Sequence, residues 1–205
     1  NNGLRNLGAY TFSGCTGLTQ IDLPSTLTTI EERAFQGCTA IESIVLPDSV
    51  KTIGAYAFRS CSKLNEINYP MSWSSSGSDI FAGCSSLTKI EVPEGVTVIP
   101  ASAFSGCSYL KEVTLPGTLT KIGSSAFYGC SGLKAISFPE SLTTIEGSAF
   151  YGCSGLTEIT LPQALTTLNS NAFYNCTGLK TVVVNEGITK INPYTFYGCS
   201  GLTQI

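Results

Sequence analysis

Apolar and polar positions recur along this chain in a unit of 23 residues that repeats without insertion or deletion. Cysteines stand at 15, 38, 61, 84, 107, 130, 153, 176 and 199, and a phenylalanine precedes each by three positions, from Phe12 to Phe196. A fixed period of this size predicts a solenoid, because each unit can bury its apolar face only against its neighbours.

The copy from Cys153 to Asn175 shows the elements. Ile159 and Leu161 alternate with Glu158 and Thr160, the period-2 pattern of a half-buried strand. Pro162 stops that strand, having no N–H to donate. Leu165 and Leu168 bracket Thr166-Thr167, a β-branched pair that predicts a second short strand. Asn169-Ser170-Asn171 ahead of Ala172-Phe173 predicts a capped turn of 3₁₀ or α type. Most copies place Gly directly before the Cys, where a positive φ lets the chain bend back; Ser60 and Asn175 take that place in two copies. Proline stands nine residues after Cys in seven copies and Asn185 replaces it in the eighth. The expected body has two narrow parallel sheets and a layer of aromatic turns.

The copy from Cys61 to Gly83 departs from the pattern. It holds the chain's one Met and one Trp, Met71 and Trp73, and puts Ser76 in an Ile slot. Volume compensation by Trp73 and by Ile80 in the Ala slot is one reading. A loosened coil exposing Tyr69, Met71 and Trp73 as a contact site is the other.

Composition narrows the chemistry. Charged residues make up only 12%, with a net charge of −3, so Ser, Thr and Asn do much of the solubilising and no basic field exists for nucleic acid or anionic lipid. No apolar run reaches the roughly 18 residues of a membrane span. The chain has no histidine, which removes Ser–His–Asp and Cys–His catalysis and His-bearing zinc sites. Glu31-Glu32 reads as a solvated turn rather than a glycosidase pair, and Asn175-Cys176-Thr177 is a formal glycosylation sequon around a buried Cys. Equivalent cysteines in stacked coils lie about 4.8 Å apart and parallel, which predicts reduced, buried columns rather than disulfides. No metal or cofactor is expected.

The pattern Leu-x-x-Ile-x-Leu-Pro-x-x-Leu-x-x-Ile-x-x-x-Ala-Phe-x-x-Cys, as at 133–153 with Phe138 in the second Leu slot, resembles the 23-residue leucine-rich repeat of the BspA-like (Treponema pallidum-type) class. The resemblance covers the whole chain. It implies a right-handed leucine-rich-repeat solenoid whose first strand lines a concave face, in one domain over residues 1–205 of about nine repeats, cut mid-repeat at both ends. It further implies a surface or secreted protein, often an adhesin for host proteins, with no catalytic residues to carry over. The chain stops mid-strand at Gln204-Ile205, and the native protein is expected to continue.

The outward first-strand positions would then form the concave surface: Gln20, Asp22, Ser43, Val45, Glu66, Asn68, Lys89, Glu91, Glu112, Thr114, Ala135, Ser137, Glu158, Thr160, Thr181 and Val183. Glu66, Lys89 and Glu112 form one column of alternating charge, read as cross-strand compensation. Within this face, Glu66, Asn68, Lys89, Glu91, Glu112, Thr114, Glu158 and Thr160 are the candidate binding residues. A second candidate surface is the column Tyr128, Tyr151, Tyr174 and Tyr197, each following the repeated Phe and expected to project outward. Three functions fit: a protein-binding module for a host extracellular-matrix or surface protein, a spacer that displays another domain, or carbohydrate capture by the tyrosines. The concave residues vary between copies and the tyrosines occupy only four, which favours binding over a uniform spacer.

Overall fold

The computed structural model of the chain describes residues 3–69 and 77–205. Thirteen short strands occur among them: β1 (Asn6–Leu7), β2 (Thr29–Ile30), β3 (Ser43–Ile44), β4 (Thr52–Ile53), β5 (Glu66–Ile67), β6 (Lys89–Glu91), β7 (Val98–Ile99), β8 (Glu112–Thr114), β9 (Lys121–Ile122), β10 (Thr144–Ile145), β11 (Glu158–Thr160), β12 (Thr167–Leu168) and β13 (Thr181–Val183). All pairings are parallel and join residues 23 apart, as Glu158 with Thr181 and Thr144 with Thr167. The sequence period is thus the solenoid rise, and the chain is a stack of 23-residue coils.

The two expected sheets are present, and among the described residues the first-strand one is interrupted. On the second-strand side β1-β2-β4 and β7-β9-β10-β12 form sheets of three and four strands. On the first-strand side β3 pairs with β5, β6 with β8 and β11 with β13, and Thr181 bridges on to Gln204. The gap between β8 and β11 falls at the coil where Phe138 fills the leucine slot. Its ring meets Phe150 edge-on at 5.6 Å, and residues 134–138 form no strand.

The turn layer is where the coils are held most uniformly. No helix forms among the described residues, and the reason lies in the hydrogen bonds. In each copy but the last, the N–H groups five, three and one residue before the Cys donate to carbonyls of the next coil, as Ser125 to Gly147, Phe127 to Ala149 and Gly129 to Tyr151. The alternate N–H groups donate three residues back within their own coil, as Ala126 to Gly123, Tyr128 to Ser125 and Cys130 to Phe127. Consecutive i→i+3 bonds, which a 3₁₀ turn requires, therefore never form. The inter-coil triplet recurs at all eight junctions with N···O distances of 2.7–3.3 Å.

This alternation needs two left-handed residues per coil. One is the position before Cys, with φ of 70–77° at the glycines, 60° at Ser60 and 55° at Asn175. The other was not expected. Tyr10, Arg33, Tyr56, Asp79, Ser102, Ser125, Ser148, Asn171 and Tyr194 all have φ of 53–61°, a conformation costing an L-residue about 1–2 kcal/mol.

Inside the turns the nine phenylalanines stack from Phe12 to Phe196 in an unbroken column, with ring centroids 5.1–5.8 Å apart and interplanar angles of 4–23°. Cys38 to Cys199 are buried, unpaired and do more than fill space. Each thiol donates to the carbonyl of the Phe in the preceding coil, at S···O distances of 3.1–3.3 Å. Burial pushes the Cys107 and Cys153 thiols up to about 12, which keeps the donor proton in place. Cys15 begins the file and is exposed.

Polar side chains also join neighbouring coils. Thr28, Thr120 and Thr143 hydroxyls donate to the carbonyls of Arg5, Thr97 and Thr120. Asn185, buried in the slot that proline fills elsewhere, donates to the Pro162 and Leu165 carbonyls and accepts from the Gly187 N–H.

In the irregular copy, Tyr69 is 7% exposed and Ile80 fully buried. Tyr69 is therefore part of the core, and its proposed exposure as a contact is corrected: an aromatic ring at that interior position gains more from transfer out of water. The Phe column shows its largest tilts, 23° and 20°, on either side of Phe81, next to Ile80 in the alanine slot. Met71, Trp73 and Ser76 lie outside the described residues.

Two carboxylates brace adjacent coils. Glu31 accepts from the Asn6 side chain and the Ala9 N–H, and Glu146, its counterpart five coils on, pairs with Lys121 at 2.6 Å and accepts the Ser124 N–H at 2.9 Å. Glu31 thus caps the preceding coil from within the solvated turn, and Glu32, the more exposed of the two, meets Arg33. Lys121 and then the Ser124 donors hold the Glu146 carboxyl below its ordinary 4.5. A lowered folded-state value stabilises the fold above that pH and is lost as pH falls through it. We expect Glu146→Gln to cost a few tenths to about 1 kcal/mol at neutral pH. Urea melts of the two proteins should draw together as the pH is lowered stepwise below 4.5.

Candidate functional site

The outward first-strand side chains emerge beside buried partners: Glu66 and Asn68 flank Ile67, Lys89 and Glu91 flank Ile90, and Glu158 and Thr160 flank Ile159. The ladder register brings Lys89 beside Glu112 and Glu91 beside Thr114. Lys89 meets Glu112 at 3.9 Å with both side chains more than half exposed, a pair worth about 0–1 kcal/mol. The expected charge column closes only on this side. Glu66 belongs to the β3-β5 sheet and pairs with no cation among the described residues.

Asn68 does different work from its neighbours. Its amide donates to the Leu46 carbonyl at 2.8 Å and accepts the Leu46 N–H at 2.7 Å, so both polar ends continue the ladder just past β3 and β5. What remains outward is Glu66, Lys89 and Glu91, which with Ser43, Val45 and Asn68 line a shallow depression of about 720 Å³. Val45 in its wall is 77% exposed. Glu158 and Thr160 stand apart in the β11-β13 pair, beside Thr181 and the half-exposed Val183. The structure therefore divides the eight candidates into a cluster of four around the depression, Glu112 and Thr114 at its border, and two farther along.

The tyrosine column is present and forms a stack. Tyr128, Tyr151, Tyr174 and Tyr197 lie with centroids 4.7, 4.6 and 4.9 Å apart, and Tyr194 meets Tyr197 edge-on. Stacking covers both ring faces of Tyr151 and Tyr174, so ring edges and hydroxyls are what this column offers. Burial and then the neighbouring phenols push the Tyr174 hydroxyl up, keeping it a donor.

At the other end of the same turn face lies a group that the spacing did not point to. The Arg33 guanidinium lies between the Tyr10 and Tyr56 rings, 5.4 and 4.8 Å from their centroids, and also donates to the Tyr10 hydroxyl. Arg59 covers Tyr56 at 5.3 Å and meets Asp79. The signal was available, since Tyr10, Arg33 and Tyr56 are separated by 23, but an alternating column carries no repeated letter to notice.

No helix among the described residues is long and apolar enough to cross a membrane, and no group of three or more acidic or cysteine side chains there is placed to hold a metal.

Comparison with known proteins agrees with this geometry. Residues 1–111 and 75–203 match the sequence pattern of the BspA type leucine rich repeat region, in six copies. A leucine-rich repeat protein from Bacteroides ovatus is similar over 99% of this chain, with 36% identity and a TM-score of 0.90, and this chain spans about half of it, 52%. The Treponema pallidum leucine rich repeat protein is similar over 86% of this chain and 72% of its own, with 26% identity and a TM-score of 0.63. The pneumococcal vaccine antigen PcpA is similar over 82% of this chain and 56% of its own, at 26% identity and 0.51. None of the curated proteins matches the chain. With 23-residue coils, parallel strands, stacked Phe and Cys columns and these likenesses together, the chain belongs to the BspA-type leucine-rich repeat family.

Proposed function

We propose that this chain is a non-catalytic protein-binding module of a cell-surface or secreted protein, and that it engages its partner, of the host extracellular-matrix or surface class, through the first-strand face. One observation carries the reading. Interior columns repeat the same residue coil after coil, whereas the outward first-strand positions change identity, and the carboxylates of Glu66, Glu91 and Glu158 are exposed without an ion pair or hydrogen bond among the described residues. Residues retained for stacking alone would repeat; residues that read a partner need not. The likeness to a pneumococcal vaccine antigen supports display outside the cell. Sugar stacking along the tyrosine column is disfavoured, because sugars pack on open aromatic faces and both faces of Tyr151 and Tyr174 are covered by neighbouring rings.

The test is a binding screen against extracellular-matrix proteins, repeated with the Glu66→Lys/Glu91→Lys double variant. Both side chains lie outside the hydrogen-bond network and the strand backbone is untouched, so the fold should be retained. We expect a loss of affinity of tenfold or more for the matched ligand; undiminished binding, or no ligand in the class, overturns the proposal.

A further inference from the structure

The turn face beyond the fourth coil has a composition unlike the rest of the surface. From Ser102 to Tyr197 its two outermost columns carry no charged residue and consist of Ser, Asn and Tyr, the mixture that forms adaptable, low-entropy contact surfaces elsewhere. Within it, Tyr128, Tyr194 and Tyr197 are 41%, 61% and 57% exposed. The hydroxyls of the four stacked tyrosines hold no hydrogen bond among the described residues. They stand in a row whose ring pitch is 4.6–4.9 Å.

A row of identical donors at that pitch is complementary only to something with the same pitch. A surface of irregular spacing could satisfy one or two of the hydroxyls and would leave the others facing apolar ring edges. Another solenoid coil stack has the matching repeat of about 4.8 Å. The face is also uncharged, so two copies of a chain with net charge −3 can approach here without placing like charges together. The Arg33 and Arg59 end of the same face is already occupied by Tyr10, Tyr56 and Asp79 of its own chain, which leaves the tyrosine end as the unpartnered part.

We propose that the tyrosine column is a homotypic interface, on which a second copy of this chain docks ladder against ladder about a two-fold axis between Tyr151 and Tyr174. A two-fold contact is self-complementary, so Tyr128 of one copy lies against Tyr197 of the other, and Tyr151 against Tyr174. Phenol edges interlock and each hydroxyl finds a hydroxyl acceptor across the axis. Four coils give a small patch, so the association is weak in dilute solution and strengthened wherever copies are concentrated on one surface.

Sedimentation equilibrium of the 205-residue chain, carried from micromolar to millimolar concentration, tests this. We expect a monomer–dimer equilibrium whose Kd rises about tenfold or more in Tyr151→Ser and Tyr174→Ser. Serine already occupies the equivalent position at Ser105, so these variants keep the coil. Glu66→Lys/Glu91→Lys, on the first-strand face, should leave the Kd unchanged, which separates this interface from the partner-binding face. A monomer at every concentration overturns the proposal. So does a dimer whose Kd the serine variants do not move, since another face would then carry it.

Discussion

Replacing Phe127 with alanine should cost about 3–5 kcal/mol and break one cooperative melt into two. The ring is fully buried and stacked on both sides, 5.4 Å from Phe104 and 5.2 Å from Phe150. A solenoid has no contacts that bypass a coil, so its cooperativity is the product of nearest-neighbour couplings. Removing the ring weakens two of those couplings at once, near the middle of the stack. Calorimetry should show the coils on either side of Phe127 melting as separate units. A single transition at the original midpoint would show that the inter-coil hydrogen bonds alone carry the coupling.

The second large effect is expected two residues earlier and comes from the backbone. Ser125 has φ of 55° and its N–H donates to the Gly147 carbonyl at 3.0 Å. Proline cannot adopt that φ and has no N–H, so Ser125→Pro should cost about 3 kcal/mol or more. Glycine adopts it freely. Ser125→Gly removes the left-handed penalty of about 1–2 kcal/mol and adds unfolded-state entropy of about 0.5–1, for a net gain of about 0.5–1 kcal/mol. Urea denaturation of the pair gives shifts of opposite sign if the left-handed column is a strain offset by inter-coil bonding. Destabilisation by glycine as well would mean that the Ser125 side chain itself holds the coil.

These two positions mark the limits of what could be read from residue order. Phe127 was legible, because a bulky residue repeated at a fixed interval has to stack once the coils are aligned. Ser125 was not. Glycine advertises a positive φ before Cys, but the second left-handed column is filled by Tyr, Arg, Asp, Ser and Asn, which share no backbone preference. The capped 3₁₀ or α turn was a local reading of a segment whose N–H groups go, at every other residue, to the next coil.

The candidate faces divide in the same way. The register of Lys89 with Glu112 and the tyrosine column followed from the interval of 23. That Asn68 spends both ends of its amide on Leu46, that Glu31 and Glu146 cap the preceding coils, and that Arg33 sits between two rings depended on distances between side chains of different coils.

The period by itself determined the solenoid, its buried Phe and Cys files and which side chains share a column, since stacking turns a constant interval into vertical alignment. Tertiary structure alone decided where the first-strand sheet breaks, which backbone groups bond between coils and which outward polar groups remain unspent. A hydrogen bond is made or lost over a few tenths of an ångström, and the separation of neighbouring coils at that scale is set by the packing of whole side chains such as Phe138 and Ile80, not by their spacing along the chain.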